Sequence, residues 1–139
     1  MKSLPPFHLA IPVHNLKEAQ EFYGKLLNCQ QGRSSNHWID FNFFGHQLVV
    51  HLDDNIKTKS FNSVDGKDVP IPHFGLVLNW KDWQLMKEKL ETSKLDFIIK
   101  PYVRFEGEVG EQATMFFLDP SGNALEFKAF KNIDQLFVN

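Results

Sequence analysis

Two stretches of the chain follow the same plan, and this internal duplication limits the folds that the sequence can adopt. FHLAIPV at residues 7–13 and HFGLVL at residues 73–78 each hold a histidine at the start of a short apolar strand. Each strand runs into a helix-start signal, Asn15-Leu16-Lys17-Glu18 in one copy and Asn79-Trp80-Lys81-Asp82 in the other, in which Asn caps free backbone N–H groups. The sequence therefore predicts two copies of one unit, each with a strand, a helix and two or three further strands.

The length of 139 residues sets the scale of this duplication. It is one domain's worth of sequence, so two small halves share it. We expect a first module over about residues 5–52, a solvated connector over 53–70, a second module over about 71–131 and a tail over 132–139. The connector is rich in Asp, Asn and Lys, a composition typical of a linker between halves or of a segment that folds over a site.

The charge balance disfavours several classes of partner. The formal net charge is −2, so no basic field favours a phosphate backbone or an anionic membrane surface. No apolar run approaches the ~20 residues that a spanning helix needs, and the single cysteine, Cys29, cannot form an internal disulfide. We therefore expect a cytoplasmic protein that binds neither nucleic acid nor membrane.

The last predicted strand carries a carboxylate in its interior. The turn sequence Asp119-Pro120-Ser121-Gly122-Asn123 leads into an apolar stretch that contains Glu126. Because an isolated buried ion is costly, a cationic group should lie opposite it. A metal ion is one candidate; Lys128, on the same face of the strand, offers an ion pair that needs no metal.

The repeat favours the metal. Pseudo-symmetry brings His8 and His73 together, and Glu126 can join them as a set of two histidines and one carboxylate. Ala10 and Gly75 share the faces of the two histidines and leave room for a metal and a substrate. For each histidine taken alone, a core imidazole bonded to the backbone is the alternative.

His51 is a fourth candidate, because it stands near the end of the first module as Glu126 does in the second. Counted from the preceding glycine, His51 is Gly45 plus six and Glu126 is Gly122 plus four. This even offset keeps the inward face and shifts the height along the strand. Two roles stay open for His51: a fourth metal ligand, or an acid–base group beside the metal.

Four residues, one terminal pattern and the duplicated plan together resemble the vicinal oxygen chelate superfamily. They are His8, His51, His73, Glu126 and Asp119-Pro120-x-Gly122-Asn123-x-Leu125-Glu126. The superfamily includes glyoxalase I, extradiol ring-cleaving dioxygenases and the fosfomycin- and bleomycin-resistance proteins, and the resemblance extends from Phe7 to Phe130. It implies an α+β fold of two tandem βαβββ modules whose curled mixed sheets surround a divalent metal, commonly in a homodimer.

The residue at position 51 bears on the branch of this superfamily. Glyoxalase I usually has a metal-binding Glu there, whereas extradiol dioxygenases have a triad matching His8, His73 and Glu126 and a further histidine near the end of the first module. His51 therefore favours an extradiol-type dioxygenase acting on a small diol or catechol-like substrate. Fe(II) is the favoured metal, with Mn, Ni and Zn as alternatives. Three protein ligands on one face of an octahedral ion leave three positions, enough for a bidentate diol and O₂.

The resemblance leaves two other functions open. One is a lyase or isomerase of glyoxalase or epimerase type, in which a metal holds two vicinal oxygens while a carboxylate moves a proton; the other is a metal-independent binding protein of the resistance type. Phe116 and Phe117 stand where the dioxygenase branch commonly carries a Tyr. Arg104, in the loop of the second half, could meet an anionic substrate. The apolar residues between Ile133 and Val138 predict a tail that packs on a partner subunit in a homodimer.

Overall fold

The computed structural model describes residues 4–56 and 60–138 and divides the chain into two compact units. The first unit contains the chain up to residue 58 together with Asp119–Asn123. The second unit contains residues 59–118 and 124–139. The turn before the last strand therefore belongs to the first unit, although both strands that it connects belong to the second.

The first unit is a four-stranded sheet with one helical segment. Its elements are β1 (His8–Val13), α1 (Leu16–Ala19) continuing as a π-helix (Gln20–Leu26), β2 (Gln30–Ser34), β3 (Trp38–Phe43) and β4 (His46–Leu52). The strand order is β1-β4-β3-β2; β1 is parallel to β4, and the other neighbours are antiparallel. The fully buried side chains of this unit include Tyr23, Leu27, Phe41 and Leu48, which form an aromatic and aliphatic core under one face of the sheet.

The second unit repeats this topology after an added hairpin. Its elements are β5 (Ser60–Val64), β6 (Lys67–Ile71), β7 (His73–Leu78), α2 (Trp80–Thr92), β8 (Phe97–Arg104), β9 (Gln112–Leu118), β10 (Ala124–Phe130) and a 3₁₀ turn (Ile133–Gln135). The main sheet has the order β7-β10-β9-β8, again with one parallel pair followed by two antiparallel pairs. The predicted α+β fold of two βαβββ modules is confirmed.

Both helices begin where the sequence predicts. The side chain of Asn15 accepts a hydrogen bond from the backbone N–H of Glu18, and that of Asn79 accepts one from the N–H of Asp82. Each cap therefore satisfies one backbone donor that the first turn leaves free. Among the described residues, no helix has both the length and the apolar composition needed to cross a membrane.

Two of the edge strands, β2 and β8, differ from what the sequence predicts. Residues 32–36 have the composition of a loop, yet Gln30–Ser34 form β2, whose five residues are all exposed and so show no apolar alternation. The Lys100-Pro101 pair favours the end of a strand, since proline cannot donate a ladder hydrogen bond, yet β8 continues to Arg104. Its register with β9 shifts between Ile99 and Tyr102, and an irregular edge strand tolerates a proline that cannot donate a ladder hydrogen bond.

The predicted connector contains regular structure. β5 and β6 form an antiparallel hairpin between residues 60 and 71, joined by Asp65 and Gly66. Both turn residues have positive φ, 52° and 72°, as a two-residue hairpin turn requires. The Asp-Gly pair was the available signal for this hairpin.

Candidate active site

The centre of the candidate site in the second unit is a histidine facing a carboxylate. Nε2 of His73, on β7, lies 3.3 Å from Oε2 of Glu126, on the neighbouring strand β10. The hydroxyl of Thr114, on β9, donates a hydrogen bond of 2.7 Å to the other oxygen, Oε1. One carboxylate oxygen is thus fixed by the sheet, and the other faces the imidazole.

The hydrogen bond made by the other ring nitrogen of His73, Nδ1, fixes the tautomer of the imidazole. Nδ1 lies 2.8 Å from the carbonyl oxygen of Pro70, and because a carbonyl only accepts, Nδ1 carries the hydrogen. In the neutral ring Nε2 then presents a lone pair to Glu126, and this contact is favourable only when a proton or a cation lies between the two groups. An imidazole held through Nδ1 on a backbone carbonyl is also the usual arrangement of a metal-binding histidine. The pair therefore fits a metal ion.

Lys128 competes for the same oxygen. Its Nζ lies 3.6 Å from Oε2 of Glu126, and its side chain is 32% exposed against 13% for the carboxylate. The ion pair that the sequence offered as an alternative is present. Because the lysine stem is flexible and its tip reaches solvent, the ammonium can leave when another cation takes its place.

Gly75 has a different role from the one inferred from the sequence. A Cβ atom at this position would lie 1.6 Å from the carbonyl oxygen of Glu126. The glycine is therefore needed for the close approach of β7 to β10 rather than for space around a metal.

In the first unit, His8 is held in the same way as His73. Its Nδ1 lies 2.7 Å from Oε1 of Gln47, while the amide nitrogen of Gln47 lies 3.4 Å from Oδ2 of Asp40. With the amide nitrogen turned towards a carboxylate, the amide oxygen accepts from Nδ1, and Nε2 of His8 is left as the lone-pair nitrogen. Both histidines thus present Nε2 for a metal.

The strand register shows that His51 does not occupy the position equivalent to Glu126, although the count of residues from the preceding glycine suggested that it did. In the second unit His73 pairs with Ala124, and Glu126 follows two residues later. In the first unit His8 pairs with Gln47, so the place equivalent to Glu126 is occupied by Val49. His51 corresponds to Lys128.

This register separates His51 from His8. His51 pairs with Pro12, four residues along β1 from His8, and four residues of strand span about 13 Å. Both side chains lie on one face of the sheet, because paired and alternate residues share a face. This offset favours a role for His51 beside the metal over one as a ligand that shares an ion with His8.

The described residues contain no group of three or more His, Cys, Asp and Glu side chains that forms a metal site as it stands. His73 and Glu126 are brought together within the second unit. His8 belongs to the first unit, as does His51.

Arg104 lies at the end of β8 rather than in the predicted loop, and its ionic partner belongs to the predicted connector. Its Nε is in ionic contact with Oδ2 of Asp65, at the tip of the β5–β6 hairpin. Tyr102, two residues earlier, places its hydroxyl 3.4 Å from the same oxygen. Burial, followed by the carboxylates of Asp65 and Glu126, raises the pKa of Tyr102, while Arg104 opposes this shift.

The turn before β10 is fixed by a buried network within the first unit. The hydroxyl of Tyr23 donates a hydrogen bond of 2.8 Å to Oδ2 of Asp119, whose Oδ1 accepts from the backbone N–H groups of Ser121 and Asn123. Asn123 also donates to the carbonyl oxygen of Pro12. Burial, with the charge and hydrogen bond of Asp119, raises the pKa of Tyr23 well above its usual value.

A cleft lies on the sheet of the first unit, next to Gln47, the partner of His8. It has a volume of about 400 Å³ and is lined by residues of the first unit that include Gln30, Gln31, Asp40, Asn42 and Gln47. Because Gln47 also contacts His8, the cleft offers amide and carboxylate groups to a small molecule bound beside that histidine.

The sequence places the chain in a family. A model of the Glyoxalase/Bleomycin resistance protein/Dioxygenase superfamily matches residues 6–127. The chain therefore belongs to this superfamily, as its resemblance to the vicinal oxygen chelate group predicted. No protein of curated function matches the sequence.

Solved structures support the same assignment. A glyoxalase/bleomycin resistance protein/dioxygenase from Alicyclobacillus acidocaldarius is 32% identical, with 99% of this chain and 100% of that chain covered and a TM-score of 0.79. Lactoylglutathione lyase from Agrobacterium tumefaciens is 13% identical, with full coverage of both chains and a TM-score of 0.68. The fosfomycin resistance protein FosX from Listeria monocytogenes is 15% identical, with coverages of 97% and 98% and a TM-score of 0.67. At such low identity, the last two share the fold alone.

Proposed function

We propose that this protein is a metal-dependent enzyme in which His8, His73 and Glu126 hold one divalent ion. The observation that supports this set is the matched state of the two histidines: each is held through Nδ1 on an oxygen, and each leaves Nε2 as the ligand atom. Glu126 adds a carboxylate with one oxygen directed at His73. Members of this superfamily usually bind a divalent metal.

The reaction that we favour is an extradiol-type dioxygenation of a small diol or catechol-like substrate, with Fe(II). The observation that carries this choice is the separation of His51 from His8, because it leaves three protein ligands rather than four. When bound, the metal supplies adjacent positions for two substrate oxygens and for O₂.

The residues of the chain then have distinct tasks. His51 lies on the sheet face that carries His8, where a substrate extending along the sheet would meet an acid–base group. Tyr102 shares the sheet face of Glu126 in the second unit, and with Arg104, two residues further along β8, it can orient the substrate. Tyr102 also supplies, from β8, a phenol that Phe116 and Phe117 do not supply from β9.

A second candidate is a lyase or isomerase of glyoxalase or epimerase type. It is favoured by Lys128, whose ammonium lies 3.6 Å from Glu126. An amine and a carboxylate side by side can move a proton between adjacent carbons of a bound substrate. We rank this reaction below dioxygenation.

The decisive experiment measures metal content first and reaction second. Protein loaded anaerobically with Fe(II), and separately with Mn, Ni or Zn, should bind one ion per chain, and His73→Ala or Glu126→Ala should abolish binding. His37→Ala, which removes an exposed histidine, is the matched control. Oxygen uptake with a panel of catechols would then support dioxygenation, whereas metal-dependent proton exchange without oxygen uptake would support the second candidate. Full metal binding by both ligand variants would overturn this ligand set, whereas no metal binding by the wild type would leave a metal-independent binding role.

A further inference from the structure

The tip of the β5–β6 hairpin places the carboxylate of Asp65 against Arg104 and Tyr102. The Asp65-Gly66 turn fixes the geometry of the hairpin tip, and it places Asp65 against both residues. Tyr102 pairs with Thr114 across the sheet, and Thr114 bonds to Glu126. Since paired residues share a face, the hairpin tip lies against the sheet face that carries Glu126.

Asp65 meets this pair of donors through a single oxygen. The buried Nε of Arg104 is in ionic contact with Oδ2 of Asp65, in a geometry that is not that of a hydrogen bond. The 3.4 Å separation between the Tyr102 hydroxyl and Asp65 also exceeds the 2.5–3.0 Å that is usual for such a bond. A guanidinium normally binds a carboxylate through two parallel N–H···O bonds. Oδ2 of Asp65 thus faces both donors at once, and the contact is not the two-bond pair that a guanidinium can make with a carboxylate.

The surroundings favour an anion. Lys67 lies over the ring of Tyr102, 4.9 Å from its centroid. Lys128, on β10, pairs with Thr114 and so lies on the same sheet face. With Arg104 these lysines give three positive groups against the two carboxylates, Asp65 and Glu126. A metal on Glu126 would increase this excess.

We propose that Arg104 and Tyr102 form the site that binds a carboxylate group of the substrate, and that Asp65 occupies it until the substrate displaces the hairpin tip. This inference rests on the proposed function for its location and deepens it by naming the substrate class: a small organic acid whose carboxylate is separate from the two oxygens that bind the metal. Asp65 is an internal competitor, so a neutral analogue gains nothing by displacing it. The hairpin thus admits acids in preference to neutral diols.

The test uses metal-free protein and acetate as the simplest carboxylate, with binding followed by NMR shifts of the Arg104 side-chain N–H. Asp65→Asn removes the competing charge and keeps the size of the side chain. If Asp65 holds the site nine-tenths of the time, the dissociation constant for acetate should fall about tenfold, because the apparent constant is the intrinsic one divided by the free fraction. Acetamide, a neutral molecule of the same shape, should bind no better to the variant than to the wild type.

Asp68→Asn is the matched control, since it removes the same charge from an exposed residue of the same hairpin. It should leave acetate binding at the wild-type level. In the Asp65→Asn background, Arg104→Lys keeps a positive charge but loses the planar fork, and it should remove the gain. Equal acetate affinity in wild type and Asp65→Asn, or retention of the gain after Arg104→Lys, would overturn the proposal and identify the Asp65–Arg104 contact as structural.

The two proposals fail in different ways. If the protein binds no metal but Asp65→Asn gains acetate affinity, the proposed function fails and the anion site stands. If His73 and Glu126 bind metal as expected and Asp65→Asn gains nothing, only the anion site fails.

Discussion

The hydroxyl of Thr114 donates to Oε1 of Glu126 over 2.7 Å, so that only Oε2 of this carboxylate faces His73 and Lys128. Thr114 is itself buried, and its rotamer is fixed by the sheet around it. The orientation of the proposed ligand is thus set by a residue that need not touch the metal.

Thr114→Val should therefore weaken metal binding while leaving the fold intact. The isosteric change removes the donor that orients Glu126, and losses of about 10–100-fold in metal affinity are typical for such partners. The measurement is metal titration of wild type and variant. Thr92→Val, which removes a hydroxyl from the end of α2, should keep the wild-type affinity; an unchanged affinity in Thr114→Val would contradict the proposed orienting role.

Gly75→Ala should destabilise the protein by about 1–3 kcal/mol, the usual cost of forcing an extra methyl group into a packed site. Its Cβ would collide with the carbonyl of Glu126, so β7 and β10 must separate. Urea unfolding measures the loss. Gly24→Ala is the control, since a Cβ there meets only a Phe41 ring atom at 3.7 Å, and equal stabilities for the two variants would count against the close approach.

Stability should fall above pH 10 because of Tyr23. Its pKa in the folded chain is raised, first by burial and then by Asp119, whereas the unfolded chain ionises this phenol near pH 10. The stabilisation is complete below pH 10 and is lost as the pH rises towards the folded pKa. Urea unfolding at pH 8 and near pH 11 should show this loss. Tyr23→Phe should reduce it and cost about 0.5–1.5 kcal/mol at pH 8, because one hydrogen bond to Asp119 is lost while those from Ser121 and Asn123 remain.

His51→Ala should leave Fe(II) affinity near the wild-type value and slow turnover by ~10²–10⁴-fold, the loss typical of a general acid or base. The physical reason is the four-residue offset between His51 and His8. Anaerobic Fe(II) titration and steady-state kinetics separate the two effects. A variant that loses the metal would show that His51 is a ligand.

If the tail forms the subunit contact that the sequence predicts, truncation after Lys131 should shift the mass per particle towards that of a monomer. Ile133, Phe137 and Val138 are 54%, 91% and 65% exposed, and apolar tails of this kind are typical of subunit contacts. Light scattering of the full and shortened chains measures the mass. A mass per particle that does not change on truncation would rule out the tail as the contact.

The repeat, both helix starts and the class of fold could be predicted because each copy carries its own caps and apolar spacing. The positions of individual residues along the strands could not be predicted, because turns of different length precede β4 and β10. Two residues, Phe44 and Gly45, connect β3 to β4, whereas Asp119–Asn123 connect β9 to β10. Counting from a glycine therefore assigned His51 to the place that Val49 occupies.

The candidate site shows the same limit. His73 and Glu126 were identified together because a buried carboxylate needs a partner and the repeat pointed to a histidine. Asp65 and Tyr102 were not identified from the sequence. They meet through a hairpin contact between distant residues, and no local sequence pattern indicates such a contact. Composition made the segment containing Asp65 look like a solvated connector.

The chain has two tyrosines, and each faces a different carboxylate: Tyr23 meets Asp119 in the first unit, and Tyr102 meets Asp65 in the second. One phenol is wholly buried and the other partly open. Their ultraviolet absorbance on ionisation should therefore appear as two separate steps, with Tyr102 first. Each unit thus carries its own tyrosine as an optical reporter. Loosening of the hairpin tip could be followed without a label through the absorbance of ionised Tyr102, at a pH where Tyr23 stays protonated.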